Sequence, residues 1–275
     1  MLPLASWPAA DRRRITGVFT DIDDTLTTEG AVTADALQAL ADLKAAGLQV
    51  IPITGRPVGW SEPFATSWPV DAIVAENGAV ALISDQIGLQ PLPGVRGQLS
   101  KRYQQDEATR LANYARMQQV AARVVREVPG AVISQDSAGR ETDIAIDHSE
   151  FVHLPPAAIA QAAQIMQNEG MNATVSSIHI NGWFGAHNKL EGARWIVGEL
   201  FGRDLAAEMA NWVYVGDSTN DQLMFEAFPH SVGVANIRRF EAELSHKPRY
   251  ITMAERGAGF AEVAAALLAA RHRPG

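Results

Sequence analysis

Between residues 15 and 83, short apolar runs alternate with longer amphipathic stretches. Ile15-Thr16-Gly17-Val18-Phe19, Ile51-Pro52-Ile53 and Ala72-Ile73-Val74-Ala75 are too short for buried helices and rich in β-branched residues, so they read as buried strands. Between the first two, Thr33 stands where a helix N-cap belongs. Leu37, Leu40 and Leu43 then recur at three-residue spacing, and Gly47 sits at the C′ position. Strands alternating with helices predict βαβ units and a mainly parallel sheet. Pro52 cannot donate to a ladder, which assigns it to an irregular strand end. After Glu76-Asn77-Gly78, the run 79–83 predicts a hairpin partner across that turn.

The texture then changes. Pro91-Leu92-Pro93-Gly94 punctuates the chain, and residues 107–127 follow as an amphipathic helix stopped by Pro129-Gly130. Val132-Ile133 and residues 143–147 read as strands, 155–169 as a helix, and 173–175 with 177–180 as further extended chain. The βα alternation returns at Asn188, with a helix through Leu200, a strand over 212–215, a helix near 222–227, a strand over 231–234 and a closing helix from Phe260. The expected organisation is an α/β core made of residues 1–84 and 187–275, interrupted by an α+β insert over 85–186.

Composition narrows what such a chain can do. With 275 residues, 47% of them hydrophobic, it can bury a full core, and a net charge of −8 argues against nucleic-acid or anionic-membrane surfaces. A small polar ligand fits better. The absence of cysteine excludes disulfides, thiolate zinc sites and a Cys nucleophile. Met1-Leu2-Pro3-Leu4 is too short and proline-broken for a signal segment, and Arg12-Arg13-Arg14 follows the apolar part instead of preceding it, so the expected location is cytoplasmic. The apolar stretch 263–270 is far short of a membrane span.

Candidate chemistry gathers at strand ends, where ligands of open α/β sheets bind. Asp21-Ile22-Asp23-Asp24-Thr25-Leu26 follows the first strand, Thr54-Gly55-Arg56 the second, and Gly216-Asp217-Ser218-Thr219-Asn220-Asp221 a third far along the chain. Clustered carboxylates beside buried strands call for a metal, a cation or chemistry. Asp21 can attack phosphorus to give an aspartyl phosphate. Asp23, two residues on, can protonate the leaving alcohol and then activate water. Mg²⁺ suits an oxygen-only site shared with a phosphate, and Asp217 supplies a further ligand. Ser218, Asn220 and Asp221 would orient those ligands or hold metal-bound waters. Thr54, with nearby backbone N–H groups, can bind the transferring phosphoryl oxygens, and Lys189 can neutralise the remaining charge. Plainer roles stay open: Asp217 or Ser218 as a helix cap, Thr54 as a turn residue, and Lys189 as a solvated charge. Arg140, His179 and Asn181 in the insert are candidate substrate contacts. A loop starting at Asp21 has Leu26 and Val32 where an EF-hand needs glycine and glutamate, and no P-loop, nucleophile elbow or HExxH zinc motif occurs.

In this order the four motifs resemble those of the haloacid dehalogenase superfamily, in the branch with a large α/β cap after the second motif (type IIB). Residues 21–26 resemble its first motif, 54–56 its second, Lys189 its third and 216–221 its fourth. The resemblance implies a Rossmann-like core, Mg²⁺, and a metal contact from the backbone carbonyl of Asp23. Asp23 itself separates phosphoryl-transfer members from dehalogenases. Asn77-Gly78-Ala79 and residues 231–236 also look like type IIB segments, which implies a small phosphorylated metabolite, a sugar phosphate, as substrate, with Gly55, Arg56 and Asn77 near it. Asp24 departs from the glycine of many relatives. A phosphomutase would share the nucleophile but release an isomerised sugar phosphate. A non-catalytic metabolite-binding module would need neither Asp21 nor Asp23.

Overall fold

The computed structural model describes residues 1–84 and 98–271. The turn expected at Pro91-Leu92-Pro93-Gly94 lies outside the described residues. At the centre is a six-stranded sheet in the order Leu2–Pro3, Tyr250–Ile251, His230–Gly233, Trp212–Gly216, Gly17–Thr20 and Gln49–Pro52. Every pairing in it is parallel. Pro52 closes its strand opposite Thr20, and the next residue, Ile53, bridges Val74 in parallel, which joins an antiparallel sheet of Ile73–Ala75, Val80–Ser84 and Leu99–Tyr103.

Side chains alternate across the central strands, so both faces are apolar. Val18, Val50, Val213 and Val215 pack one way, with Leu40, Leu43, Phe260 and Leu267 from the helices Ala34–Ala45 and Arg256–Arg271. Phe19, Ile51, Trp212 and Tyr214 face the other way, against Ile196, Val197, Phe225 and Phe228. The closing helix starts four residues before the expected Phe260. Gly257 accounts for this, because a Cβ there would lie 2.1 Å from Thr33 Oγ1, and without it the helix packs against the Thr33 turn. Thr33 does precede its helix, but its hydroxyl makes no capping bond, and Asp35 accepts the Ala36 N–H instead. Leu37 stays 37% exposed while Leu40 and Leu43 are fully buried, because a strict three-residue spacing drifts off the buried face of a 3.6-residue helix.

The insert has its own core. Helices Glu107–Glu127 and Pro156–Asn168 cover one face of an antiparallel sheet ordered Asn172–Val175, His179–Trp183, Ile144–Asp147 and Val132–Ile133. Met117, Val124, Ile144, Ile146, Ile165 and Ile180 fill that layer. Alternation turns Asp143, Asp147, His179 and Asn181 to the opposite face, and all four are buried as well. That polar face meets the loops at the carboxyl ends of the parallel strands: Asn181 Nδ2 lies 3.3 Å and Arg140 Nη1 3.0 Å from Gly55 O. Among the described residues, no helix is long and apolar enough to cross a membrane.

One close approach positions the site directly. Gly78 has φ +107, and a Cβ on it would come within 2.2 Å of Asn188 O. A Cβ on Gly192 would lie 2.6 Å from Gly78 Cα. The two glycines therefore let the helix Lys189–Phe201 begin against the Glu76–Gly78 turn. Gly192→Ala is expected to cost about 1–3 kcal/mol through backbone overlap. Gly198→Ala, in the same helix with nothing nearer than 3.9 Å, is expected to be neutral or stabilising by up to about 1 kcal/mol. Urea titrations of both variants check the contrast, and equal effects would contradict it.

Candidate active site

Trp212–Gly216, Gly17–Thr20 and Gln49–Pro52 are neighbours in the sheet, so their carboxyl ends bring Asp217, Asp21 and Thr54 together. Asp21 remains in the ladder, its N–H donating to Val215 O at 2.9 Å. Carboxylate oxygens of Asp21, Asp217 and Asp221 all lie within 4.8 Å of one another, and the three residues are buried. Lys189 opens its helix behind Asn188, whose Oδ1 accepts the Leu190 and Glu191 N–H groups. Its ammonium reaches Asp21 Oδ1 at 3.0 Å and Asp221 Oδ1 at 2.7 Å while only 3% exposed. A solvated role is thereby excluded. Burial opposes that charge, but Asp21 and Asp221 more than offset it, and the lysine pKa rises.

Asp221 is the hub of the fourth motif. Its Oδ1 also accepts the Tyr214 hydroxyl, and its Oδ2 accepts the N–H groups of Asp217 and Ser218 at 2.9 and 3.2 Å. Ser218 caps the Thr219–Asp221 turn in a reciprocal capping box, and its hydroxyl donates to Asn220 Oδ1 at 2.8 Å. With both Asp221 oxygens engaged, its part is to hold the turn. Asp217 differs: Oδ2 is bonded by Asn236 Nδ2 at 3.1 Å, but Oδ1 is buried without a partner. An unsatisfied carboxylate oxygen facing two more carboxylates is a donor set that fits a hard divalent cation.

Thr54 is fully buried, and its hydroxyl accepts the Arg56 backbone N–H at 3.0 Å. Gly55 O takes the donors from Arg140 and Asn181. Asn77, at φ +56, points its amide to Asp143 Oδ2 at 3.5 Å. Arg140 also pairs with Asp143 at 2.8 Å, and His179 Nε2 lies 2.8 Å from Glu150. The candidate substrate contacts of the insert thus reach the site, with their polar groups spent on the chain itself. Asp23 faces Arg56, apart from the three-carboxylate cluster, with its carboxylate 2.9 Å from the guanidinium.

Several contacts escaped the sequence reading. Glu76 is fully buried, with burial as the main cause raising its pKa. It accepts N–H groups from Val58, Glu141 and Thr142, tying the second-motif helix to the insert. Asn236 binds both Asp217 and the Asp24 carbonyl, at 3.1 and 3.0 Å. Asp24 has φ +54, a conformation glycine adopts without cost, and its carboxylate is held by Arg239 at 2.9 Å and Arg256 at 3.1 Å. A cleft of about 1200 Å³ opens between the two layers, lined by Asp23, Arg56, Glu150, Phe151, Thr219 and Arg239 among others. The Asp21 pKa rises from 3.8 to about 7 through burial, with Lys189 opposing, and that of Asp217 rises well above its ordinary value through burial and its neighbours Asp21 and Asp221.

Both groups hold protons more tightly folded than unfolded. Between pH 3.8 and about 7 the native state therefore binds more protons, and stability falls as pH rises. In chelator, the protein is expected to melt a few degrees lower near neutral pH than around pH 5. Added divalent cation should narrow the gap and Asp217→Asn should reduce it, with Asp143, which burial also raises to about 7, supplying part of the remainder. A thermal melt series across pH checks this, and a slope untouched by Asp217→Asn would contradict it.

A family model described as haloacid dehalogenase-like hydrolase matches residues 18–128, starting on the strand that delivers Asp21. The phosphoglycolate phosphatase of Methanothermobacter thermautotrophicus is 25% identical over 256 residues, covering 89% of this chain and 95% of that protein. Among solved structures, the sucrose-phosphatase of Synechocystis sp. has TM-score 0.62 at 14% identity, covering 93% of this chain and 98% of its own. The C-terminal domain of C. albicans trehalose-6-phosphate phosphatase has TM-score 0.63 at 15% identity, with 98% of each chain covered. At such identities the structural likeness speaks for fold. Residues 18–128 are therefore similar in sequence to the haloacid dehalogenase-like hydrolases, and the whole chain shares the fold of these phosphatases.

Proposed function

We propose that the chain is a Mg²⁺-dependent phosphatase that hydrolyses a sugar phosphate through an aspartyl phosphate on Asp21. In this reading residues 1–84 and 187–275 form the catalytic core and residues 85–186 the cap. The observation that carries it is the Asp21 carboxylate, paired with Lys189 at 3.0 Å and set beside an Asp217 oxygen that has no partner. Lys189 favours the ionised, nucleophilic form of Asp21 against the effect of burial. Asp21 attacks phosphorus as the bond to the substrate oxygen breaks, and Asp23 gives its proton to that oxygen. Asp23 then takes a proton from water, whose oxygen attacks the same phosphorus and frees Asp21 and inorganic phosphate. The Thr54 hydroxyl and the Gly55 N–H would bind phosphoryl oxygens, since the Arg56 and Val58 N–H groups are taken by Thr54 and Glu76. Mg²⁺ held by Asp21, Asp217 and the Asp23 carbonyl would offset the repulsion between carboxylates and phosphate.

The relatives' names span two-carbon and sugar phosphates. A cleft of about 1200 Å³ favours the larger leaving group. Its wall carries Asp23, Asp24, Glu29, Glu150 and Glu243 against three arginines already paired with carboxylates, which disfavours a second acidic group such as that of phosphoglycolate. A soluble phosphorylated metabolite in the cytoplasm is the partner this implies.

Phosphate release from a panel of phosphomonoesters, with Mg²⁺ and with chelator, tests the proposal. Turnover should be selective for sugar phosphates, lost in chelator and reduced at least about a thousandfold in Asp21→Asn. Undiminished release by that variant would refute the nucleophile, and an isomerised sugar phosphate in place of free phosphate would make the protein a mutase.

A further inference from the structure

Arg56 is 5% exposed and faces three carboxylates. Its Nε donates to both Asp23 oxygens, at 2.9 and 3.0 Å. Of its terminal nitrogens, Nη1 goes to Asp136 Oδ2 of the insert at 3.2 Å, and Nη2, which lies 2.9 Å from Asp23 Oδ1, also reaches Glu150 Oε1 of the insert at 2.7 Å. The Trp60 ring lies 5.0 Å from the guanidinium carbon and borders its remaining side. The insert holds each of its two acids in turn. Asp136 takes the Ser134 hydroxyl at 2.7 Å and an Arg140 N–H at 3.2 Å. Glu150 is bonded to His179 at 2.8 Å and sits on a loop whose N–H groups at 150 and 151 are fastened by Asp147 at 2.9 and 3.0 Å.

An arginine on a flexible stem fixes its partner only if its own far end is fixed, since each free rotamer otherwise spreads the position of the bond. Here the insert supplies two of the three carboxylates that fix the guanidinium, Asp136 and Glu150, with the Trp60 ring beside it. We propose that Arg56, Asp136 and Glu150 form a latch by which seating of the insert orients the Asp23 carboxylate for proton transfer. All three are positioning residues. Lifting the insert removes two of the three partners of Arg56 and releases Asp23 from its orientation, so proton donation is confined to the seated arrangement. The inference rests on the reading of Asp23 as the proton donor.

Leaving-group dependence tests it. p-Nitrophenyl phosphate releases a stable anion that needs little protonation, whereas phenyl phosphate, of nearly the same shape, releases a more basic one. The double variant Asp136→Ala/Glu150→Ala should lose about tenfold or more in kcat on phenyl phosphate and less than about threefold on p-nitrophenyl phosphate, with KM little changed. Asp136→Asn/Glu150→Gln keeps the accepting oxygens and should recover most of the loss. It also supplies the comparison if the alanine variant melts early. Asp23→Asn is the control, read in kcat/KM so that its later part in activating water does not enter: equal losses on both esters in that variant would remove the proton-donor role itself. A split in Asp23→Asn with equal losses in the two latch variants would overturn the latch while leaving the proton donor standing.

Discussion

Lys189 lies buried between Asp21 and Asp221, and the rest of the centre is arranged around that contact. Three carboxylates within 4.8 Å cannot all stay ionised away from water without compensation, and one ammonium offsets only part of their charge. The fold supplies the remainder with fixed dipoles and hydrogen bonds. Two backbone N–H groups and a tyrosine hydroxyl hold Asp221, and Asn236 holds one oxygen of Asp217. What stays unsatisfied is a single oxygen, Asp217 Oδ1, and the buried negative charge around it. The incompleteness is local, which fits the cation site proposed there.

Such a cluster needs rigid neighbours. The parallel sheet provides them because Asp21, Thr54 and Asp217 leave three adjacent strands at the same end, each within a residue or two of a ladder bond. Lys189 arrives from another direction, on a helix whose start is set by the Gly78–Gly192 contact and the Asn188 cap. A lysine in the first helical turn is disfavoured by the helix dipole, so its two carboxylate partners must outweigh that effect as well as desolvation.

The motifs at residues 21, 54 and 216 were legible in the chain because they combine local spacing with apolar strands, and the adjacency of their strands follows from βαβ topology, whereas Lys189, alone at a helix start, could be named only as a candidate counter-charge. The long helix Glu107–Glu127 was equally plain, since Pro129-Gly130 stops it and its apolar positions are periodic. What the pattern hid was pairing across distance. Leu2–Pro3 carries no strand signal of its own, yet it adds to the sheet edge beside Tyr250–Ile251, and Trp7 stacks on Tyr250 beneath it. Tyr214 reads as an ordinary strand residue until alternation sends it to the face opposite Val213 and Val215, where it meets Asp221. Glu76, Asp136 and Glu150 stand in segments without periodicity, and their partners lie dozens of residues away. Local motifs and the strands that carry them were therefore readable, and long-range charge pairing was not.

The face that the insert turns to the core is the reverse of an ordinary sheet packing. Its helix-covered side is apolar, while its buried opposite side carries Asp143, Asp147, His179 and Asn181. Burying those groups costs desolvation, and a chain selected only for stability would have placed apolar residues there. Each of them instead finds a partner, in the loop carbonyl at Gly55, the Asn77 amide, Glu150 or nearby backbone N–H groups. A polar contact surface can be rehydrated at small cost when it parts, whereas an apolar one of the same extent would hold the layers together permanently. The proposed hydrolysis requires water and substrate to enter beneath the insert and product to leave. A contact made of ion pairs and amides is the kind of joint that both sets the geometry when seated and permits it to open.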